Sequence, residues 1–409
     1  MFGGKMLLKM FGPVLLLCSV VPFVRSIGNK SHSFLVVDED ALLTTPQLIR
    51  KYGYEVEEHE VRTEDGYLLA MYRIPPRHLG SRRYPIFLMH SLLSTSADWV
   101  LIGRNHGLAY LLADLGYDVW MGNARGNRYS RKHERYAITS VEFWDFTWHE
   151  IGLYDVPAFI DYVLKQTDSR KLHFIGYSQG TIVVFVALSE RPELNEKLVQ
   201  MQLLSPAIYL KEFDSFLLKL IVMSCDEIVA RLTASQIYEF TPYFEYQYFF
   251  FKRLCPSPAQ RVCRLVIFDV VGGYPENLDV KLLRILLGHF PAGVSVKQIH
   301  HVCQLFRDGI FQQYDYGNPE INLQRYGSTQ VPKYNVSRVK APVRIYYSYG
   351  DRLVNYRNVL QLQQELSNLV SSYPVPDKRF GHSDFAYGRN VKEMLYDEML
   401  ANLEQADGL

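Results

Sequence analysis

The sequence predicts an α/β fold: a mostly parallel sheet flanked by helices, interrupted late in the chain by an inserted helical cap. Three observations carry that reading. Short apolar runs bounded by turn residues alternate with longer helical patterns. That rhythm breaks near residue 206 and resumes only after 336. And in "GYSQG", at 176–180, one serine stands between two glycines where a strand pattern gives way to a helix pattern.

At the N-terminus, Lys5 and Lys9 precede an apolar stretch from Met10 to Val24, broken by Gly12, Pro13 and Pro22 and followed by Arg25-Ser26. This pattern predicts a secretory signal peptide over 1–26, because its apolar core is too short to span a bilayer comfortably; an uncleaved anchor is the competing reading. No later segment offers about 18 uninterrupted apolar residues, so no integral membrane span is expected. The destination is then extracellular or lysosomal. Two sequons, Asn29-Lys30-Ser31 and Asn335-Val336-Ser337, suit that route as glycosylation sites.

Strands are expected at 84–89 "YPIFLM", 117–121 "YDVWM", 171–176 "KLHFIG", 199–204 "VQMQLL" and 343–349 "VRIYYSY", with helices near 142–166, 180–190, 356–370 and 388–404. Residues 27–205 and 337–409 would form the core, and 206–336, which shows no convincing strand, the cap set above the sheet's C-terminal edge. With 409 residues, 48% hydrophobic content and a net charge of +1, the chain can bury a large core, and it has no run of one sign that would suit nucleic acid. Without Cys18, which lies in the leader, four cysteines remain: Cys225, Cys255, Cys263 and Cys303. They allow three full pairings. A short staple between Cys255 and Cys263 is the simplest, with two reduced buried thiols as the alternative.

The serine of "GYSQG" can be read chemically. Gly176 and Gly180 flank Ser178 in a turn tight enough to need neighbours without side chains, which exposes its oxygen above the sheet at the start of a helix. A serine needs a base, and the base needs an orienting acid. In α/β-hydrolases these follow in the order Ser, Asp, His, and the sequence offers Asp351 after the strand "VRIYYSYG" and His382 in the loop "RFGHSDF". Taken singly, each suits an ordinary turn. His173, His289, His300 and His301 have no carboxylate in a comparable strand-end loop. For an oxyanion hole, the backbone N–H of Gln179 and that of Leu92, in "FLMHSLLSTSADW", are the candidate donors.

Segments along nearly the whole mature chain then resemble the acid lipase family of gastric and lysosomal lipases. They include "YGYEVEEHEVRTEDGYLLAMYRIP" at 52–75, "GYDVWMGNARGN" at 116–127, "GYSQGT" at 176–181, "PAGVSVKQIHH" at 291–301 and "GHSDF" at 381–385. The resemblance implies an α/β-hydrolase fold with a lid-bearing cap. It implies hydrolysis of carboxylic esters of neutral lipids, triacylglycerols or cholesteryl esters, at an oil or membrane interface. It places the nucleophile on Ser178, the acid on Asp351, the base on His382 and the oxyanion donors on Leu92 and Gln179. It also puts Cys255 and Cys263 where the family's cap disulfide lies.

Three positions depart from the family pattern. Ser91 replaces the glycine before the oxyanion leucine, Tyr177 replaces the histidine before the nucleophile, and Asn355 replaces an aspartate. Ser91 could strain the loop if a positive φ is needed there, or add a third oxyanion donor, or point away. Two other functions compete: a carboxylesterase for short soluble esters, and a catalytically weak lipid-binding protein on the same scaffold. The stretch "YEFTPYFEYQYFFFKRLC" at 238–255 reads as core packing or as lipid-facing lid, with Tyr243, Phe244, Tyr246, Tyr248, Phe249, Phe250 and Phe251 as the candidates. No metal or cofactor is expected. "HEIGL" at 149–153 lacks a second histidine, His300-His301 lacks helical ligand spacing, and no phosphate-binding glycine motif occurs.

Overall fold

The computed structural model describes residues 38–77, 83–249, 269, 272–274 and 276–408. The leader 1–26, Asn29, Phe250, Phe251, Cys255 and Cys263 lie outside the described residues. In chain order the strands are β1 (Glu57–Arg62), β2 (Tyr67–Ile74), β3 (Ile86–Met89), β4 (Val119–Gly122), β5 (Lys132–His133), β6 (Leu172–Tyr177), β7 (Leu198–Leu204), β8 (Glu239–Phe240), β9 (Val294–Ser295), β10 (Val343–Tyr347) and β11 (Leu369–Pro374). The principal helices are α1 (Thr45–Lys51), α2 (Leu108–Asp114), α3 (Val156–Thr167), α4 (Gln179–Glu190), α5 (Phe216–Met223), α6 (Cys225–Ala234), α7 (Val280–Leu286), α8 (Val296–Asp308), α9 (Pro319–Tyr326), α10 (Tyr356–Glu365) and α11 (Asp397–Asp407).

Among the described residues, nine strands form one sheet in the order β1-β2-β4-β3-β6-β7-β10-β11, with β5 pairing to β2. From β4 to β11 every pairing is parallel, and β1 and β2 join that block antiparallel. The parallel strands are apolar because both faces are covered. Along β3, Phe87 and Met89 enter one core cluster with α3 and α4, while Ile86 and Leu88 enter the other with α2 and α11. Helix α4, "QGTIVVFVALSE", is buried from Gln179 to Ser189, which is why its apolar residues surround it instead of forming one stripe.

Each expected strand is found within two residues of its expected limits, and the differences lie at the edges and in the insertion. The helix expected over 356–370 stops at Glu365, and the chain enters edge strand β11 at Leu369. β1, "EEHEVR", is an outer strand with a half-exposed, charged pattern that hides it among loop sequences. In the segment between β7 and β10, where no strand was expected, β8 and β9 form an antiparallel ribbon of two residues each, too short to leave a period. Ser224 and Ser215 open the helices of this segment, and Cys225 of α6 is disulfide-bonded to Cys303 of α8.

Candidate active site

β3, β6, β7 and β10 run parallel, so the loops leaving their carboxyl ends gather above one edge of the sheet. Ser178 sits between β6 and α4 with φ 53° and ψ −111°, a conformation that L residues hold only under constraint. The flanking glycines explain the constraint. A Cβ on Gly180 would lie 2.2 Å from the carbonyl oxygen of Met89, and one on Gly176 would lie 2.9 Å from the Gly180 carbonyl. The same closeness presses the end of β3, and with it the Leu92 loop, against the start of α4.

Ser178 Oγ is 2.9 Å from His382 Nε2, and His382 Nδ1 is 2.8 Å from Asp351 Oδ2. The arrangement fits an imidazole with its proton on Nδ1, donated to the carboxylate, leaving Nε2 to accept from the serine hydroxyl. Asp351 Oδ1 accepts from the backbone N–H of Leu353 (2.9 Å) and Val354 (2.8 Å). The His382 backbone is held at both ends: its N–H donates to Gly272 O at 2.6 Å, and its carbonyl accepts from Tyr177 Oη at 2.8 Å. Tyr177, where the family pattern has histidine, therefore props up the His382 loop.

Beside His382, Asp384 Oδ2 accepts from Gly381 N–H (2.6 Å) and Asn277 Nδ2 (2.8 Å), joining the histidine loop to the segment between β7 and β10. Burial pushes the Asp384 carboxyl up to about 7, against the lowering effect of those hydrogen bonds. Asn355 makes a similar tie to the segment after β7, donating from Nδ2 to Asp214 at 2.9 Å while capping α10.

In the loop after β3, His90 Nδ1 donates to Ser91 O at 2.7 Å and His90 Nε2 accepts from Ala124 N–H and Asn127 Nδ2, both at 3.1 Å. Burial lowers the proton affinity of this histidine, as its acceptor role at Nε2 requires. Ser91 neither strains the loop nor offers a third oxyanion donor. The positive φ belongs to Leu93 (61°), and Ser91 donates from both N–H (2.9 Å) and Oγ (2.8 Å) to Oδ2 of the fully buried Asp98. Ser94 and Tyr387 hydroxyls donate to the other oxygen of Asp98. Leu92 N–H and Gln179 N–H have no acceptor among the described residues. The segment between β7 and β10 touches the neighbouring groups: Ala292 N–H donates to Leu93 O at 2.8 Å, and Gln298 Nε2 to Gln179 Oε1 at 2.5 Å.

The other histidines are paired elsewhere. His173, early on β6, meets Asp407 of α11 at 2.9 Å with both side chains fully buried, and His300 meets Asp226 at 2.8 Å. His301 stacks on Trp148, and His289 Nε2 donates to Asp40 O at 2.7 Å. Asn335 is exposed and caps a short turn over Val336–Arg338. The aromatic stretch divides: Tyr248 is buried, Tyr243 lies under Arg128, and Tyr246 and Phe249 are exposed. Sequence reading passed over another apolar run, "FLLKLIVM" of α5. There Phe216, Leu220 and Met223, spaced i, i+4 and i+7, are 67%, 44% and 82% exposed. The signal was available, since an apolar run with a single lysine needs a partner. Ser205 had none, because its partner Asp351 lies 146 positions away.

Residues 45–103 match the family described as a partial alpha/beta-hydrolase lipase region, and residues 84–237 match the alpha/beta hydrolase fold. The chain is 43% identical over 364 residues to Lipase 1 of Drosophila melanogaster, spanning 89% of this chain and 80% of that protein. It is 33% identical over 394 residues to gastric triacylglycerol lipase of Homo sapiens, spanning 95% of this chain and 97% of that one. In three dimensions it is similar to the alpha/beta hydrolase GrgF from Penicillium sp. sh18, with a TM-score of 0.52 over 87% of this chain and all of the other, at 12% identity; that likeness concerns the fold alone.

Proposed function

The chain belongs to the acid lipase family of α/β-hydrolases and is a carboxylic ester hydrolase of the lipase type, and on that premise we propose that it cleaves neutral lipids with Ser178 as nucleophile, His382 as base and Asp351 as the acid that orients it. The observation that carries this reading is the unbroken line of hydrogen bonds Ser178–His382–Asp351 on a strained turn, at 2.9 and 2.8 Å.

In the first half-reaction Ser178 Oγ attacks the ester carbonyl carbon while His382 Nε2 takes its proton. The carbonyl oxygen becomes an oxyanion facing the N–H groups of Leu92 and Gln179. Collapse of the tetrahedral adduct breaks the bond to the alcohol, which leaves with the proton from Nε2, and the acyl group stays on Ser178. Water then repeats the sequence: His382 takes its proton, its oxygen attacks the acyl carbon, and the fatty acid leaves as Ser178 recovers its hydrogen. Asp351 stays ionised throughout and stabilises the imidazolium.

Residues 206–336 act in this reading as a lid-bearing cap over the 27–205 and 337–409 core. The exposed stripe Phe216, Leu220 and Met223 supports docking on a lipid surface, because an apolar face of that kind is costly in water and gains by burial in lipid. Entry into the secretory pathway is supported by the leader pattern over 1–26 and by the Cys225–Cys303 disulfide, which persists in oxidising compartments. Ser178→Ala should fold normally and lose roughly a thousandfold or more of its turnover, together with labelling by a fluorophosphonate probe. Near-normal ester hydrolysis by that variant would overturn the assignment. Hydrolysis of soluble short esters with none of a triacylglycerol emulsion would return the protein to the carboxylesterase reading.

A further inference from the structure

Ser205 is the first residue after β7 and carries a positive φ of 47° on a non-glycine residue. Its N–H donates to Tyr346 O of β10 at 2.8 Å, so the conformation is fixed by the sheet. Only 1% of it is exposed, and its hydroxyl is 2.6 Å from Asp351 Oδ2 and 3.0 Å from His382 Nδ1. A hydroxyl has one hydrogen and two lone pairs. The shorter contact, to the carboxylate, takes the hydrogen, and a lone pair then faces the imidazole N–H.

The carboxylate is thereby saturated. Oδ1 takes two backbone N–H groups, and Oδ2 takes His382 and Ser205. The stretch 205–207 also reaches the nucleophile: Ala207 N–H donates to Thr181 Oγ1 at 3.0 Å, and that hydroxyl donates to Ser178 O at 2.5 Å. One three-residue stretch therefore touches the acid and the base directly and the nucleophile through Thr181.

We propose that Ser205 is a positioning residue of the ester hydrolase, one that holds Asp351 Oδ2 in line with His382. This rests on the triad reading above. Ser205 touches no substrate; it acts through Asp351. Its effect therefore belongs in kcat and not in KM, and it should vanish when Asp351 is gone.

The test uses the full chain with a soluble chromogenic ester and compares Ser205→Ala and Ser205→Gly in the native and Asp351→Ala backgrounds. Glycine accepts the positive φ without strain, so it removes the hydroxyl even if alanine disturbs folding. Each substitution should lower kcat about tenfold to a hundredfold with KM within about twofold, as for a lost hydrogen bond to a charged group, and should cost nothing further in Asp351→Ala. A kcat within about twofold of native for Ser205→Gly, or an undiminished loss in the Asp351→Ala background, would overturn this role while leaving the triad in place. Full activity of Asp351→Ala itself would overturn the triad assignment and this role with it.

Discussion

Serine at position 91 looks like a defect in its loop until its partner is seen. Asp98 is fully buried, and its charge is held by N–H and O–H donors, two of them from Ser91. A hydrogen bond to a buried charge contributes about 1.5–3 kcal/mol, and losing the donor leaves that charge short of a partner. Ser91→Gly should therefore destabilise the protein by about that much and lower kcat several-fold, because Leu92 sits on the loop this network anchors. Thermal unfolding and turnover measured on the same preparation check it; a faster enzyme of unchanged stability would mean that the loop was strained after all. Among the residues legible in the sequence, Ser178 and Asp351 announce themselves by following apolar strand runs, and His382 by coming after them in a loop. Asp98 and Ser205 do not: Ser205 and Asp351 lie 146 positions apart and meet only because β7 and β10 pair.

Elements were legible in proportion to how deeply they are buried. β3, β4, β6, β7 and β10 have fully or mostly buried patterns and read as apolar runs. β11, "LVSSYP", has no fully buried residue, and its outer position let it pass for the end of a helix. Helix α5 shows the opposite problem, apolar on a face that is exposed. Leu218 and Val222 pack inward on the core, while Phe216 and Met223 face outward. Replacing both Phe216 and Met223 with serine removes no core packing, so stability should stay within about 0.5 kcal/mol. Hydrolysis of a soluble ester should be unchanged, and hydrolysis of a triacylglycerol emulsion should fall several-fold. Equal loss on both substrates, or unfolding, would show that this face supports the fold and not a lipid surface.

Across the whole molecule, buried histidines and buried carboxyls pull acid stability in opposite directions. Burial lowers the proton affinity of His289 from 6.5 to about 4, and lowers His90 and His301 as well. Such a histidine binds fewer protons folded than unfolded between the two values. Its contribution is complete above 6.5 and drains away as pH falls toward the folded value. Asp384 behaves oppositely. With its carboxyl raised by burial from 3.8 to about 7, the folded chain holds the extra proton in that window, so its contribution grows as pH falls through 7. Burial likewise raises the Asp155 carboxyl to about 6, so three histidines oppose two carboxyls below 6.5, and stability should therefore decline from pH 6.5 to 4, with Asp384 and Asp155 softening the slope. His289→Gln, which keeps a donor for the Asp40 carbonyl, should make the decline shallower; Asp384→Asn should make it steeper. Urea unfolding midpoints taken across that range for the native chain and both variants measure the slopes directly. If the two substitutions tilt the slope the same way, the titrating groups that govern acid stability lie elsewhere.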